Sequence, residues 1–176
     1  MSTAFDLTGR VITMLAEVVR RPVPEAAERR AVHRVLLAFD GSPGAWAALD
    51  QAIAIADAQR ALLTIAAVVS EPTVWIGFGP LGMPFTRETL RQDLERDMQQ
   101  KLAAARDEVP ATISVTTRLL HGRAARRLAE LADSGDYDLV VAGPRRAGLM
   151  RRMLGGSVTH SLLTRCSTSV LAVKGI

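Results

Sequence analysis

From Val32 onward, short β-branched and aliphatic runs alternate with longer stretches of helical periodicity, and this alternation constrains the fold more than any other feature. Val32–Phe39, Leu62–Val69, Ile113–Leu120, Tyr137–Ala142 and Thr168–Val173 read as strands. Ser42 and Pro43 supply an N-cap and a first helical residue. The helix they open carries Trp46, Leu49, Ile53 and Ala56 at three- and four-residue spacing. A second helix runs from about Thr86 to Asp107, with Leu90, Leu94, Met98 and Leu102 as its stripe. A third starts at Gly122, contains Leu128 and Leu131, and is closed by Gly135 in C-cap fashion. Gly156–Arg165 reads as a fourth. Strands alternating with helices in this way imply right-handed crossovers and a sheet covered on both faces. The expected fold class is therefore α/β: a doubly wound five-stranded parallel sheet with helices on both faces, plus an N-terminal helical extension.

The extension is set apart by its pattern. Val11, Ile12, Leu15, Val18 and Val19 share one helical face, and Arg20, Arg21, Pro22 and Pro24 then begin a polar linker. Residues 1–31 are expected to form this amphipathic helix and linker, and residues 32–176 the α/β domain. The long loop Glu71–Pro84 carries Trp75 and Phe78, which suit a lid, a partner contact or a plug for the sheet edge equally well. Aromatics make up only 4% of the chain, so Ala, Val, Ile and Leu must fill the core, as in buried parallel sheets.

Several function classes fall away. No apolar run is long enough to span a membrane, and acidic and basic residues interrupt the amino-terminal apolar stretch, so no signal peptide is expected and the cytoplasm is the expected address. Cys166 is the single cysteine, which excludes an intrachain disulfide. It reads as a small buried residue, with Arg165 beside it as the one hint of a reactive thiol. His33, His121 and His160 share no metal-ligand spacing, although His121 ends a strand near the functional edge. No nucleophile elbow and no Walker lysine motif is present, and no residue stands out as a catalytic base, so catalysis is not expected from these residues. The net charge of +4 suits an anionic ligand, but the chain lacks aromatic stacking platforms and any nucleic-acid motif.

Three features meet at one end of the strands if the first and fourth strands are neighbours, an arrangement that makes their carboxyl ends a switch-point crevice. Asp40 follows the first strand and offers a hydrogen-bond acceptor. Gly143 ends the fourth, where a missing side chain lets a ligand approach the backbone. Gly156-Ser157 opens the last helix, whose free N–H groups favour an anion.

The segments VLLAFDGSPGAWAALDQAIAIA and DLVVAGPRRAGLMRRMLGGSVTHSLLTRCSTSVLAVK give the chain from about Val32 to Lys174 a resemblance to the universal stress protein family. The second segment follows the family pattern of a glycine, two residues, a second glycine, nine residues and Gly-Ser or Gly-Thr. Here the first glycine is Gly143 and the closing pair is Gly156-Ser157, while Arg146 stands where the second glycine belongs. The spacer Ala147–Gly155 keeps its length. The resemblance implies binding of ATP, with Mg2+, or of a related adenine nucleotide. It implies adenine near Ala38 and Val68, ribose near Asp40 and Ala142, and phosphates on Gly143, Gly156, Ser157, Val158 and Thr159. It also implies a homodimer through the last strand, a protein partner of unknown identity and a role as a stress-response switch or scaffold. Arg146 leaves three outcomes open: a guanidinium that pairs with phosphate, one that obstructs it so that the chain acts only through protein contacts, or a solvated basic loop.

Overall fold

A computed structural model describes residues 31–70, 87–143 and 158–174. Among these residues five strands, β1 (Arg34–Ala38), β2 (Leu62–Val69), β3 (Val115–His121), β4 (Leu139–Ala142) and β5 (Ser169–Ala172), alternate with four helices. These are α1 (Pro43–Gln59), α2 (Arg87–Asp107), α3 (Ala124–Ala132) and α4 (Val158–Arg165). All neighbouring strands are parallel, in the order β3-β2-β1-β4-β5. The doubly wound sheet expected from the alternation is thus observed. The N-terminal extension, the loop bearing Trp75 and Phe78, and the loop bearing Arg146 lie outside the described residues.

Strand alternation assigns side chains to two cores. Val35, Leu37, Leu63, Ile65, Ala67 and Val141 point to one face, where α1 and α2 cover them. Leu36, Ala66, Val140 and Ala142 point to the other, under Leu128 and Ala132 of α3 and Leu162 of α4. The chain therefore winds outward from β1 on one face through β2 and β3, then restarts at β4 and winds along the other. β1 and β4 are the central neighbours, and Ala38 pairs with Ala142 at their common carboxyl end.

Several boundaries and faces differ from the sequence reading, each for a physical reason. The buried face of α1 is Ala45, Ala48, Ala52 and Ala56 with Leu49, while Trp46 and Ile53 are only partly buried. A face of alanines lets the helix lie close to the sheet. On α2 burial is confined to the later turns, at Leu102 and Ala105, and Leu90 and Leu94 remain 38% exposed. The exposed early turns are tied by ion pairs instead, Arg91 to Glu88 at 2.6 Å and to Glu95 at 2.7 Å. Ile113 belongs not to β3 but to a turn closed by its N–H on the Pro110 carbonyl at 2.9 Å, and it is buried there. β4 begins at Leu139 because Asp138 is occupied with β1: its carboxylate accepts the N–H groups of His33 and Arg34 at 2.8 and 2.9 Å. α3 ends at Ala132 with Asp133 as its cap, and Gly135 takes its φ of +85° in the turn beyond.

Candidate functional site

Parallel strands all end on one side, and the open end between β1 and β4 is where the connections diverge to opposite faces. After β1, Phe39 and Asp40 lead into a tight turn in which Gly41 has φ +73°. The Asp40 carboxylate accepts the Ser42 N–H at 3.0 Å. Ser42 in turn accepts the Ala45 N–H on its hydroxyl oxygen at 3.2 Å, the N-cap expected of it, with Pro43 following. One acid thus shapes the turn that aims the start of α1 at the crevice. Phe39 meets Trp46 edge-on, with ring centroids 5.1 Å apart at 89°.

The glycine at the end of β4 has a reason that the sequence reading did not identify. A Cβ on Gly143 would run into the Gly44 carbonyl and come within 3.0 Å of the Ala45 nitrogen. The side-chain space at Gly143 is therefore taken by the first turn of α1. Its carbonyl oxygen accepts the Thr159 hydroxyl at 2.9 Å, which ties the first turn of α4 to the same point. Two helix starts, one from each face, are anchored on a single residue.

A cavity of about 110 Å³ opens at this end. Every candidate that falls within the described residues lines it: Ala38, Asp40, Val68, Ala142, Gly143, Val158 and Thr159. The other candidates, Arg146, Gly156 and Ser157, lie outside those residues. The sequence reading missed Phe39, Ala45, Ser70, Met98, Ala124 and Leu128 as wall residues. Ser70 had a signal, since it follows directly on a strand that ends at the same edge. Met98 and Leu128 had been read only as core stripes, and only the packing of α2 and α3 turns them towards the cavity. Among the described residues its walls are mostly apolar, with Asp40 as the only carboxylate.

His121 ends β3 as expected but is absent from the described lining; its Nε2 lies 2.8 Å from Glu95 Oε1. Among the described residues no group of His, Cys, Asp or Glu is arranged to hold a metal ion. Nor is any described helix long and apolar enough to cross a membrane. Cys166 is partly buried, and burial together with the nearby Asp133 carboxylate pushes its thiol pKa up, against the thiolate that Arg165 suggested.

Comparison with known proteins agrees with this architecture. The model of the universal stress protein family matches residues 31–174. Universal stress protein YxiE of Bacillus subtilis (strain 168) is 26% identical over 147 residues, spanning 81% of this chain and 99% of its own. A universal stress protein crystallised in complex with cAMP is 26% identical, with a TM-score of 0.61 over 83% of this chain and 99% of its own. A family protein from Burkholderia pseudomallei, 23% identical, shares the fold with a TM-score of 0.64 over 82% and 97% of the two chains. A matching family model over nearly all of the strand–helix alternation, on a sheet of this order, leads to one conclusion: the chain belongs to the universal stress protein family.

Proposed function

We propose that the crevice between β1 and β4 binds an adenine nucleotide and that the protein acts in stress response as a nucleotide-dependent switch or scaffold. The observation that carries this reading is the convergence of Ala38, Asp40, Val68, Ala142, Gly143, Val158 and Thr159 on one apolar-walled cavity at the switch point. The 26% identical relative crystallised with cAMP supports the same ligand class. The apolar walls at Ala38, Val68 and Leu128 suit a base, and Asp40 suits the ribose hydroxyls. The phosphates extend towards α4 and the Gly-Ser pair Gly156-Ser157. With ATP, Mg2+ would be held chiefly by the phosphates and water, since the described residues of the cavity offer it a single carboxylate. The working protein is a homodimer through Thr168–Val173, cytoplasmic, with one further protein partner.

Arg146, in place of the second glycine of the pattern, favours the competing reading in which the chain has lost nucleotide and works by protein contacts alone. Calorimetric titration of the full chain with AMP, cAMP and ATP plus Mg2+ separates the two. Saturable binding to at least one nucleotide is expected, weakened by Asp40→Ala and by Gly156→Val. Absence of heat with all three overturns the nucleotide reading. Arg146→Gly then tightens ATP if the arginine obstructs, and loosens it with a shallower salt dependence if the arginine pairs with phosphate.

A further inference from the structure

At the opposite end of the sheet, on the face covered by α3 and α4, the described helices leave the strands partly bare. α3 has only nine residues, and its Leu128 and Ala132 cover Leu36 and Ala66. In the strand registers, Arg34, Leu62, Thr64, Thr116 and Arg118 share this face. Leu62 is 49% exposed there although it lies on an interior strand. The hollow has a volume of about 350 Å³, larger than the crevice, with Tyr137, Asp136 and Ser114 on its rim.

The polar groups of this hollow are unbalanced. Thr64 and Thr116 share one hydrogen bond at 3.1 Å, which uses the proton of one hydroxyl and leaves the other to be donated elsewhere. The side chains of Arg118, Tyr137 and Ser114 have no hydrogen-bond or ion-pair partner among the described residues. The one acid among the described lining residues, Asp136, is already engaged at both oxygens, by Arg34 at 3.4 Å and by the Ser134 hydroxyl at 3.1 Å. Among the described residues the Arg118 guanidinium is therefore left unpaired beside an exposed leucine.

We infer that this hollow is a second ligand site, for a small organic carboxylate with an apolar body. The carboxylate faces the Arg118 guanidinium, which recognises such groups in paired hydrogen bonds, and the threonine and tyrosine hydroxyls add neutral donors. The apolar body covers Leu62. The site lies at the amino-terminal ends of the strands, away from the nucleotide crevice, and does not depend on that crevice being occupied.

The test uses the full chain labelled with nitrogen-15, with benzoate as the probe and benzamide as its uncharged counterpart. Benzoate is expected to shift the amide signals of residues 62–64 and 114–118 along a saturable curve. Arg118→Gln, a change at an exposed position, weakens it about tenfold, the equivalent of about 1.4 kcal/mol. Benzamide moves the same signals far less, and prior saturation with AMP leaves the response unchanged. Shifts that scatter over the surface or rise without saturating overturn the proposal. So do equal effects of benzamide, an unaltered response in Arg118→Gln, or displacement of benzoate by AMP.

Discussion

Gly143 shows how one residue can be read correctly for its size while one reason for that size goes unseen. Its place at the end of a strand was legible, but what fills the space beside it was not, because the neighbour is Gly44, distant in sequence and brought close only by the β1–β4 pairing. Gly143→Ala is expected to lower stability by roughly 1–3 kcal/mol through overpacking against the α1 backbone. Thermal unfolding checks this, with a fall in Tm of about 2–4 °C per kcal/mol for a chain of this size. A variant with unchanged Tm would mean that the helix start yields easily. Asp40 was legible for a different reason: its position after the first strand and before Gly41-Ser42-Pro43 is a local pattern, and its carboxylate accepts the Ser42 N–H within that turn. Met98 and Leu128 could not have been separated from ordinary core positions, since helical spacing reports the side that is buried and not the cavity it borders.

At the scale of elements, pairing of the two central strands was foreseen only as a condition for a site. The strand runs themselves were nearly complete in the sequence, and Leu62–Val69 matches to the residue. Misplaced ends trace to tertiary ties that no local pattern reports, such as Asp138 bonding back to His33 and Arg34. One terminus is held at a cost. Arg60, after α1, has φ +53° and ψ +39°, and its N–H bonds to the carbonyls of Ala56 and Asp57. Left-handed backbone of this kind favours glycine, and it costs other residues on the order of 1–2 kcal/mol. Arg60→Gly is therefore expected to stabilise the domain, by about 1 kcal/mol once the greater freedom of glycine in the unfolded chain is subtracted. Chemical denaturation would show a higher midpoint at unchanged slope; a lower midpoint would mean that the arginine side chain contributes more than its backbone loses.

For the molecule as a whole, two carboxylates join elements far apart in sequence. Asp133, after α3, accepts the hydroxyl and N–H of Ser167 at 2.9 Å each and the N–H of Thr168 at 3.3 Å, which fixes the approach to β5. These bonds, the Ser167 hydroxyl foremost, hold its pKa below the usual aspartate value. The N–H of His33, then that of Arg34, does the same for Asp138 at the start of β1. Each group binds its proton less readily when folded. Its contribution is fully present above the ordinary aspartate pKa of about 3.9 and is lost as pH falls through the lowered folded value. Asp133→Asn with Asp138→Asn should reduce stability at neutral pH and flatten its decline below about pH 4, as read from denaturation midpoints across that range. An unchanged acid limb would exclude these two clasps as its cause. The edge-on contact between Phe39 and Trp46 has a practical consequence at the same scale. Phe39 lines the crevice and Trp46 packs on the Phe39 ring from α1, so the fold couples an indole chromophore to the cavity wall through Phe39. In a Trp75→Phe background Trp46 becomes the only indole, and the protein carries an intrinsic optical gauge of whether its central crevice is filled.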